Sequence, residues 1–345
     1  AEGIAGGMST SIPPHNLGEV IDAVMAYIDN PDISTRELME YMPGPDFPTG
    51  GIIANKSGLA EIYETGSGKI KLRGKIDIEL GKRKADKDKM VITEIPYTMI
   101  GAGINKFLVD VAELVESKKL TDVVDISNQS NKDGIRIVLE LKKDADVEKI
   151  RNILYKKTKL EDTYGVNMLA IAGGRPETLN LKGILKNYLD FQYHNATRKY
   201  QALLEKELEK KEIREGLIKA CDIIDLIIAV LRGSKNLKDA KACLMNGDIS
   251  KIQFKHPGFE EDAKQLNFTE KQANAILEMR LYKLIGLEIL ALQKEYKECL
   301  KRIAEYEKVL KSRDGMNKVI KEDLDHIKEE FAEPRKTLIE NGKEA

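Results

Sequence analysis

Hydrophobic positions near the start of the chain recur at helical spacing. The apolar residues that set this period are Leu17, Val20, Ile21, Val24 and Ile28. Asn16 can cap the helix that they predict, Asn30-Pro31 ends it, and Pro13 and Pro14 exclude helix before His15. The pattern therefore predicts a loop at the start of the chain and then a helix, followed by a short helix over about 34–41 that ends at the turn sequence MPGPDFPTGG.

Between about 51 and 180 the pattern alternates between strand and helix periods. Period two is kept by Ile70, Leu72, Ile76, Ile78 and Leu80, with Gly74 in the missing place. We expect one half-buried antiparallel strand there, whose other face carries Lys69, Lys71, Arg73 and Lys75. KMVITEIPY and GIRIVLELK predict further strands, and helices are expected over about 104–117 and 147–156. The combination indicates an α+β domain.

After about residue 180 only helices are predicted. A long charged helix from Leu181 to about Glu215 carries Tyr193, Ala196, Tyr200 and Leu203 at heptad spacing. Its counterpart is a seam with alternating steps of three and four residues, formed by Ile289, Leu292, Tyr296, Cys299, Ile303, Tyr306 and Leu310. The two helices predict an antiparallel coiled-coil stalk with a small helical knob between them. Taken alone, such a seam specifies helix pairing and is typical of a structural spacer.

The composition excludes some classes of protein but does not indicate a particular function. The 345 residues allow two or three domains, and the 56 basic and 57 acidic residues nearly cancel. Trp is absent, which argues against a stacking platform for single strands. The three widely spaced cysteines predict reduced intracellular thiols. Without an apolar run of membrane length or a signal peptide, the sequence predicts a soluble, cytoplasmic protein with no membrane partner.

Candidate chemistry is confined to one basic stretch. Nine basic and four acidic residues lie between Lys69 and Lys89. A row of cations about 6.6 Å apart on one strand face can follow phosphates along a duplex, although an ordinary solvated face gives the same pattern. GSGK at 66–69 lacks phosphate-loop spacing, and the four histidines show no metal-ligand spacing. No nucleophile–base constellation stands out, so neither an active site nor a metal site is predicted.

Several longer motifs carry a family resemblance. They include GIAGGMSTSIPPHNLGEVIDA, MPGPDFPTGG, YETGSGKIKLRGK, ITEIPY, NKDGIRIVLEL, YGVNMLA, RPETLNLKGIL and QANAILEMRLYKLIGLE. Together they resemble, in order and over essentially the whole chain, the A subunit of the bacterial type IIA topoisomerases, DNA gyrase and topoisomerase IV. Two departures stand out: Gly7 follows GIAG where many relatives read GIAVGM, and EIPY lacks the basic Asn-Lys-x-x-Arg segment of many relatives, for which Lys106 partly substitutes.

The resemblance implies a domain order. Residues 1–21 would link to a preceding winged-helix domain, and 22–180 would form the α+β tower. Residues 181–225 and 288–315 would form the coiled-coil stalk, 226–287 the all-α dimerisation or exit-gate domain, and 316–345 a helix and tail packing on the stalk base. The family's nucleophilic tyrosine and its C-terminal wrapping domain match nothing in this sequence, so this chain alone is expected to be inactive.

The resemblance also implies contacts and partners. Lys56, Lys69, Lys71, Arg73 and Lys75 would position double-stranded DNA through its backbone. Ile4 matches the residue that wedges between base pairs and kinks the duplex. The apolar dimer-gate surface would comprise Met279, Leu281, Leu284, Ile285 and Leu287. The full enzyme would pair two copies of this chain with two B subunits, which handle Mg²⁺ and ATP, and would act on the chromosome in the cytoplasm.

Two questions stay open at this stage. A non-catalytic coiled-coil scaffold whose α+β head binds nucleic acid or protein is the rival interpretation of the same pattern. The sequence also does not decide between gyrase and topoisomerase IV, because the wrapping domain is the usual discriminator.

Overall fold

The computed structural model describes residues 2–5 and 8–344, with side chains from residue 10 onward except that of residue 172. The chain divides into two compact units. Unit one comprises Ala1–Phe191 and Lys321–Ala345, and unit two comprises Gln192–Ile320.

The strands of the described residues all belong to unit one. In chain order they are β1 (Glu2–Ala5), β2 (Met8–Ser11), β3 (Ile52–Ile53), β4 (Ser67–Arg73), β5 (Lys75–Glu79), β6 (Lys89–Glu94), β7 (Val123–Asn128), β8 (Ile137–Leu141), β9 (Glu161–Asn167), β10 (Leu169–Ala172), β11 (Arg175–Thr178) and β12 (Leu338–Ile339).

Helices occur in both units, and two of them cross the boundary between the units. In chain order they are α1 (Leu17–Asp29), α2 (Thr35–Leu38), α3 (Leu59–Thr65), α4 (Ala102–Glu116), α5 (Val147–Lys157), α6 (Leu181–Asp222), α7 (Ile224–Gly233), α8 (Leu237–Asn246), α9 (Glu260–Ala263), α10 (Glu270–Glu278), α11 (Gly286–Lys311) and α12 (Arg313–Phe331). Short 3₁₀ turns span Lys56–Gly58, Tyr97–Met99 and Leu281–Leu284. None of the described helices is both long and apolar enough to cross a membrane.

Two main sheets form unit one, as expected for an α+β domain. The first has the strand order β1-β2-β9-β4-β3-β12, and its longest pairing joins β4 to β9 antiparallel, from Ser67 opposite Asn167 to Arg73 opposite Glu161. The second is antiparallel with the order β5-β6-β8-β7. Its buried face packs against α4 and α5 through a cluster that includes Met90, Ile92, Phe107, Val111, Ile137, Leu139, Ile150 and Leu154. Burying such a face is what stabilises a sheet against its covering helices.

The predicted single strand around Gly74 is wrong, because the chain changes sheet there. β4 belongs to the first sheet and β5 to the second. The Gly74 N–H donates to Leu160 O at 2.8 Å, and Gly74 O accepts from the Tyr155 hydroxyl at 3.0 Å. A Cβ on Gly74 would lie 2.4 Å from Leu160 Cδ1, so the crossing needs glycine. The period-two pattern correctly predicts that Ile70 and Leu72 are buried, but Leu80 lies beyond β5 and is 74% exposed.

The start of the chain also differs from the expected loop. β1 and β2 pair antiparallel, and Ser11 continues the pairing to Asn167 of β9. Thr10 Oγ1 donates to Leu169 O at 2.8 Å. The polar strand β2 thus lies against a remote part of the chain, which no local pattern encodes.

The IPPHNL motif fixes how the chain enters α1. Asn16 caps the helix, as predicted, by accepting from the Glu19 N–H at 3.1 Å, and its amide donates to Asp46 and to Glu333 O. His15 Nδ1–H donates to Pro13 O at 2.8 Å, so its Nε2 accepts from the Tyr63 hydroxyl, also at 2.8 Å. The motif therefore joins α1, α3, the turn after α2 and the end of the chain.

The His15 ring is held in its neutral form. It keeps some accessible surface but lies deep among protein atoms, and this desolvation lowers its pKa from 6.5 to about 4. A proton on Nε2 would also displace the hydrogen bond from Tyr63, whose own phenol pKa is raised by burial.

Acidification is expected to destabilise unit one through His15. The unfolded chain takes up the proton near pH 6.5 but the folded chain only near pH 4, so stability is lost as the pH falls between these values. The loss attributable to His15 is up to about 3 kcal/mol. Calorimetric unfolding at pH 7, 5.5 and 4.5 should show a steeper decline in the native chain than in His15→Gln, which does not titrate. Parallel declines in the two proteins would contradict this origin.

The end of the chain returns to unit one. β12 runs parallel to β3, so residues 338–339 extend the first sheet. Arg335 Nε and Nη2 donate to the two oxygens of Glu19 at 2.8 and 2.5 Å, and its Nη1 and Nη2 also reach Pro45 O and Gly44 O. Both members of the ion pair are about 20% exposed. The guanidinium therefore ties the returning segment to α1 and to the turn MPGPDFPTGG.

We expect removal of Arg335 to be costly. Arg335→Ala leaves the mostly buried Glu19 carboxylate without its cation and should lower the free energy of unfolding by about 3 kcal/mol. In a double-mutant cycle with Glu19→Ala, the coupling should exceed about 1 kcal/mol, measured by hydrogen exchange of the α1 amides. Additive losses would show that the two side chains do not act as a pair.

In unit two, side-chain contacts join α6 and α11 in an antiparallel arrangement. The rings of Tyr200 on α6 and Tyr306 on α11 are 5.8 Å apart. Further along α6, Glu207 O accepts from Cys299 Sγ at 3.2 Å, and Arg214 Nε lies 3.5 Å from Glu295. Residue numbers at successive contacts increase along α6 and decrease along α11, so the two helices are antiparallel. α6 extends seven residues beyond its predicted end, to Asp222.

The helices between α6 and α11 enclose their own core. Thr269 and Gln272 form a capping box at the start of α10, and Gly247 adopts φ +67° after α8, where a Cβ would lie 2.2 Å from Lys264 O. The buried cluster includes Leu226, Ile227, Val230, Cys243, Leu244, Phe268, Ala273 and Ile276. Residues 217–287 thus contain a small helical core, in the region where the sequence predicts a knob.

Candidate nucleic-acid interface

On the polar face of β4, the side chains of Lys69 and Lys71 reach solvent. Lys69 is exposed, and the Lys71 side chain is 40% exposed with Nζ 3.9 Å from Glu161 Oε1. Alternation along the strand places both on the face opposite the buried Ile70 and Leu72. At a spacing of about 6.6 Å, two such ammonium groups can each meet a phosphate.

Arg73 leaves the predicted row, and its expected place on the solvent-exposed face is wrong. The residue is only 8% exposed. Its Nε donates to Glu161 Oε2 at 2.7 Å, Nη2 donates to Lys343 O at 2.5 Å, and the guanidinium carbon lies 4.8 Å from the centre of the Tyr155 ring. Two of its N–H groups and one face of the guanidinium are therefore engaged inside the protein. Arg73 is therefore a structural residue at the end of β4.

The remaining predicted cations are separated by the fold. Lys75 is partly exposed at the start of β5, across the sheet crossing at Gly74. Lys56 is exposed on the 3₁₀ turn before α3, where its N–H donates to Glu340 O. Within the described part of the chain, Lys56, Lys69 and Lys75 form no ion pair. Lys69 and Lys71 thus lie in the first sheet and Lys56 lies just after its strand β3, whereas Lys75 belongs to the second sheet.

An open groove of about 540 Å³ continues the basic surface from Lys71. Its lining residues are Lys71, Lys106, Asp110, Tyr155, Lys156, Lys157, Thr158, Lys159, Glu161 and Glu344. Lys106 lies 3.3 Å from Asp110 and Lys159 lies 3.5 Å from Asp162, whereas Lys156 and Lys157 form no ion pair among the described residues. The groove therefore offers more ammonium groups than its own carboxylates neutralise.

The sequence pattern does not predict this groove, because its lining comes from β4, α4, α5, β9 and the distant Glu344. The only local signal is the run YKKTKL at the end of α5, which looks like an ordinary charged helix terminus. Lys106, which the sequence singled out, lies in the same groove as this run.

Ile4 lies partly outside what the structure describes. Its backbone belongs to β1, opposite Ser9 of β2, but its side chain is outside the described residues. The wedge role implied by the resemblance stays a prediction.

Unit two carries an exposed apolar surface at the predicted gate residues. Leu281, Ile285 and Leu287 are 82%, 59% and 78% exposed, and Leu290 beside them is 61% exposed. Met279 and Leu284 are partly buried. We call Leu281, Ile285, Leu287 and Leu290 the apolar patch. Large aliphatic side chains at this exposure, adjacent along the chain, are typical of a surface that another protein covers.

The candidate metal ligands of the described residues do not cluster. Among the residues that the structure describes, no three His, Cys, Asp or Glu side chains are grouped so that they could hold a metal ion. Burial raises the pKa of the Cys243 thiol to about 11, which makes it a poor nucleophile.

Comparison with known proteins identifies the family. Residues 1–325 match the family model for the A subunit of DNA gyrase/topoisomerase IV. The chain belongs to this family of gyrase and topoisomerase IV A subunits. This confirms the resemblance that the motifs carry, and the rival scaffold interpretation is not favoured.

Similar proteins come from both branches of the family. The chain is 44% identical over 340 residues to the DNA gyrase A subunit of Clostridium acetobutylicum, covering 99% of this chain and 38% of that protein. It is 41% identical over 339 residues to the DNA gyrase A subunit of Halalkalibacterium halodurans, covering 98% and 38%. To the DNA topoisomerase 4 A subunit of Staphylococcus epidermidis it is 39% identical over 338 residues, covering 98% and 39%. The chain thus spans about two fifths of the length of these relatives.

Proposed function

We propose that this chain is the DNA-gate tower and exit-gate part of a type IIA topoisomerase A subunit. The full enzyme would change DNA topology by cleaving both strands of one duplex transiently and driving a second duplex through the break with ATP. The observation that carries this proposal is the family match over residues 1–325. The exposed lysines of unit one and the apolar patch of unit two support it, because they offer one surface for DNA and another for a protein.

Unit one would serve as the tower that supports the bent gate duplex. Lys56, Lys69 and Lys71 would contact phosphates and position the duplex without reading its sequence. The groove that holds Lys106, Lys156 and Lys157 would extend this contact, while Lys75 would act from the second sheet. Ile4 would wedge between base pairs, at a cost of a few kcal/mol that the bent duplex recovers through added contacts.

Unit two would form the stalk and the exit gate. The antiparallel contacts between α6 and α11 support a coiled-coil stalk, and the separate core of residues 217–287 supports a gate domain at its end. Two copies of the apolar patch would meet across a twofold axis and give a C2 homodimer. Met279 and Leu284, being partly buried, would support that contact from below.

The partners of the whole enzyme follow from the same proposal. Two A subunits would assemble with two B subunits, and Mg²⁺ and ATP would act through the B subunit. The assembly would act on the bacterial chromosome in the cytoplasm.

The first test concerns the lysines of unit one. The chain should bind duplex DNA at low salt, and Lys56→Ala/Lys69→Ala/Lys71→Ala should flatten the plot of log affinity against log salt by up to about 2.7 units. The slope flattens because fewer counterions are released from the duplex when the protein makes fewer phosphate contacts. Fluorescence anisotropy of a labelled 30-base-pair duplex between 50 and 200 mM salt measures both quantities.

A matched control removes the same charge from unit two. Lys235, Lys238 and Lys251 are exposed and form no ion pair within the described residues, so their triple alanine variant should keep the native slope. No binding by the native chain would overturn the proposed function. Equal salt slopes in the two triple variants would show that Lys56, Lys69 and Lys71 do not contact the DNA.

The second test concerns the apolar patch. Leu281→Asp/Leu287→Asp should convert a sedimenting dimer to a monomer, because two carboxylates would be buried without partners in each half of the contact. The control is Leu237→Asp, which alters a leucine that is 70% exposed and, like Leu287, lies in the first turn of a helix. A dimer that persists in the double variant would place the gate elsewhere.

A further inference from the structure

The loop between β5 and β6, residues 80–88, holds four basic residues of the stretch 69–89 that the contacts proposed above do not use. It contains Lys82, Arg83, Lys84 and Lys87 with Asp86 and Asp88. All six are exposed. We call residues 80–88 the basic loop.

The two aspartates of the basic loop are used to hold its own backbone. Asp88 Oδ1 accepts from the Gly81 N–H at 2.8 Å, and Asp86 Oδ2 accepts from the Arg83 N–H at 3.2 Å. A Cβ on Gly81 would lie 2.5 Å from Asp86 O, so the turn is tight. The carboxylates thus face backbone donors within the loop and are not paired with its cations.

The four cations of the loop have no such partners. Within the described part of the chain, Lys82, Arg83, Lys84 and Lys87 form no ion pair. This contrasts with Arg136 beside the loop, whose guanidinium is paired with Glu79 at 2.8 Å. A loop that folds its acids inward and leaves its cations unpaired is suited to a polyanion.

We propose that the basic loop is a second backbone contact for duplex DNA, flanking the segment held by Lys69 and Lys71. The inference rests on the proposed function and adds a contact site to it. Lys82 lies eleven positions after Lys71, so their Cα atoms are at most about 40 Å apart, which is about twelve base pairs at 3.4 Å each. One duplex of 30 base pairs is therefore long enough to reach both sites. Arg83 can hold one phosphate bidentately, and the three lysines contact phosphates as point charges.

The test compares three variants of the chain on a 30-base-pair duplex. Lys82→Ala/Arg83→Ala/Lys84→Ala/Lys87→Ala should flatten the salt slope by up to about 3.6 units, because four phosphate contacts are lost. The charge-conserving variant Lys82→Arg/Lys84→Arg/Lys87→Arg should keep the native slope. The matched control Lys235→Ala/Lys238→Ala/Lys251→Ala/Lys255→Ala removes the same charge from exposed positions in unit two and should also keep it. Unchanged thermal unfolding shows that each variant is folded.

The outcomes separate this inference from the proposed function. If the native chain does not bind the duplex, the proposed function itself fails. If it binds and the loop variant keeps the native slope, the loop contact is overturned while the tower contact stands. If the loop variant instead loses affinity only for polyglutamate, offered as a second probe, the loop binds an acidic protein segment and the DNA contact is likewise overturned.

Discussion

A single buried guanidinium links several elements of unit one. Arg73 ends β4, and its charge is compensated by Glu161 on β9, by Lys343 O near the end of the chain and by the face of Tyr155 on α5. Gly74, the next residue, carries the chain into the second sheet under the Tyr155 hydroxyl. Gly342 completes the site, since a Cβ there would lie 2.6 Å from Arg73 Nη1. β4, β9, α5 and the returning segment therefore meet around one buried, paired charge, next to the crossing between the two sheets.

Under the proposed function, the burial of Arg73 also limits where DNA would contact unit one. Because Arg73 is turned inward, the lysines of β4 end at Lys71, and the basic surface continues into the groove beside α4 and α5. The apolar patch belongs to the other unit, whose core is separate. The contrast between lysines in one unit and leucines in the other agrees with the proposal that the two units contact different partners.

Local patterns predicted the parts of the structure that local chemistry controls. The cap at Asn16, the buried face of Ile70 and Leu72, and the seam of α11 all follow from spacing and side-chain type. The burial of Arg73 could not be predicted, because its partners lie 88 and 270 positions away. The pairing of β2 with β9 and the groove around Lys71 could not be predicted for the same reason, since their residues meet only in the folded chain. Gly74 was misinterpreted because a glycine within an alternating run also fits an unbroken strand.

The central claim is that unit one meets DNA and unit two meets a second copy of the chain. Site-specific photocrosslinking tests it most directly, with a benzophenone side chain placed at Lys69 in one variant and at Leu281 in the other, in the presence of duplex DNA. We predict a protein–DNA adduct from position 69 and a protein–protein adduct of twice the chain mass from position 281. A DNA adduct from position 281 together with a protein dimer from position 69 would contradict the account.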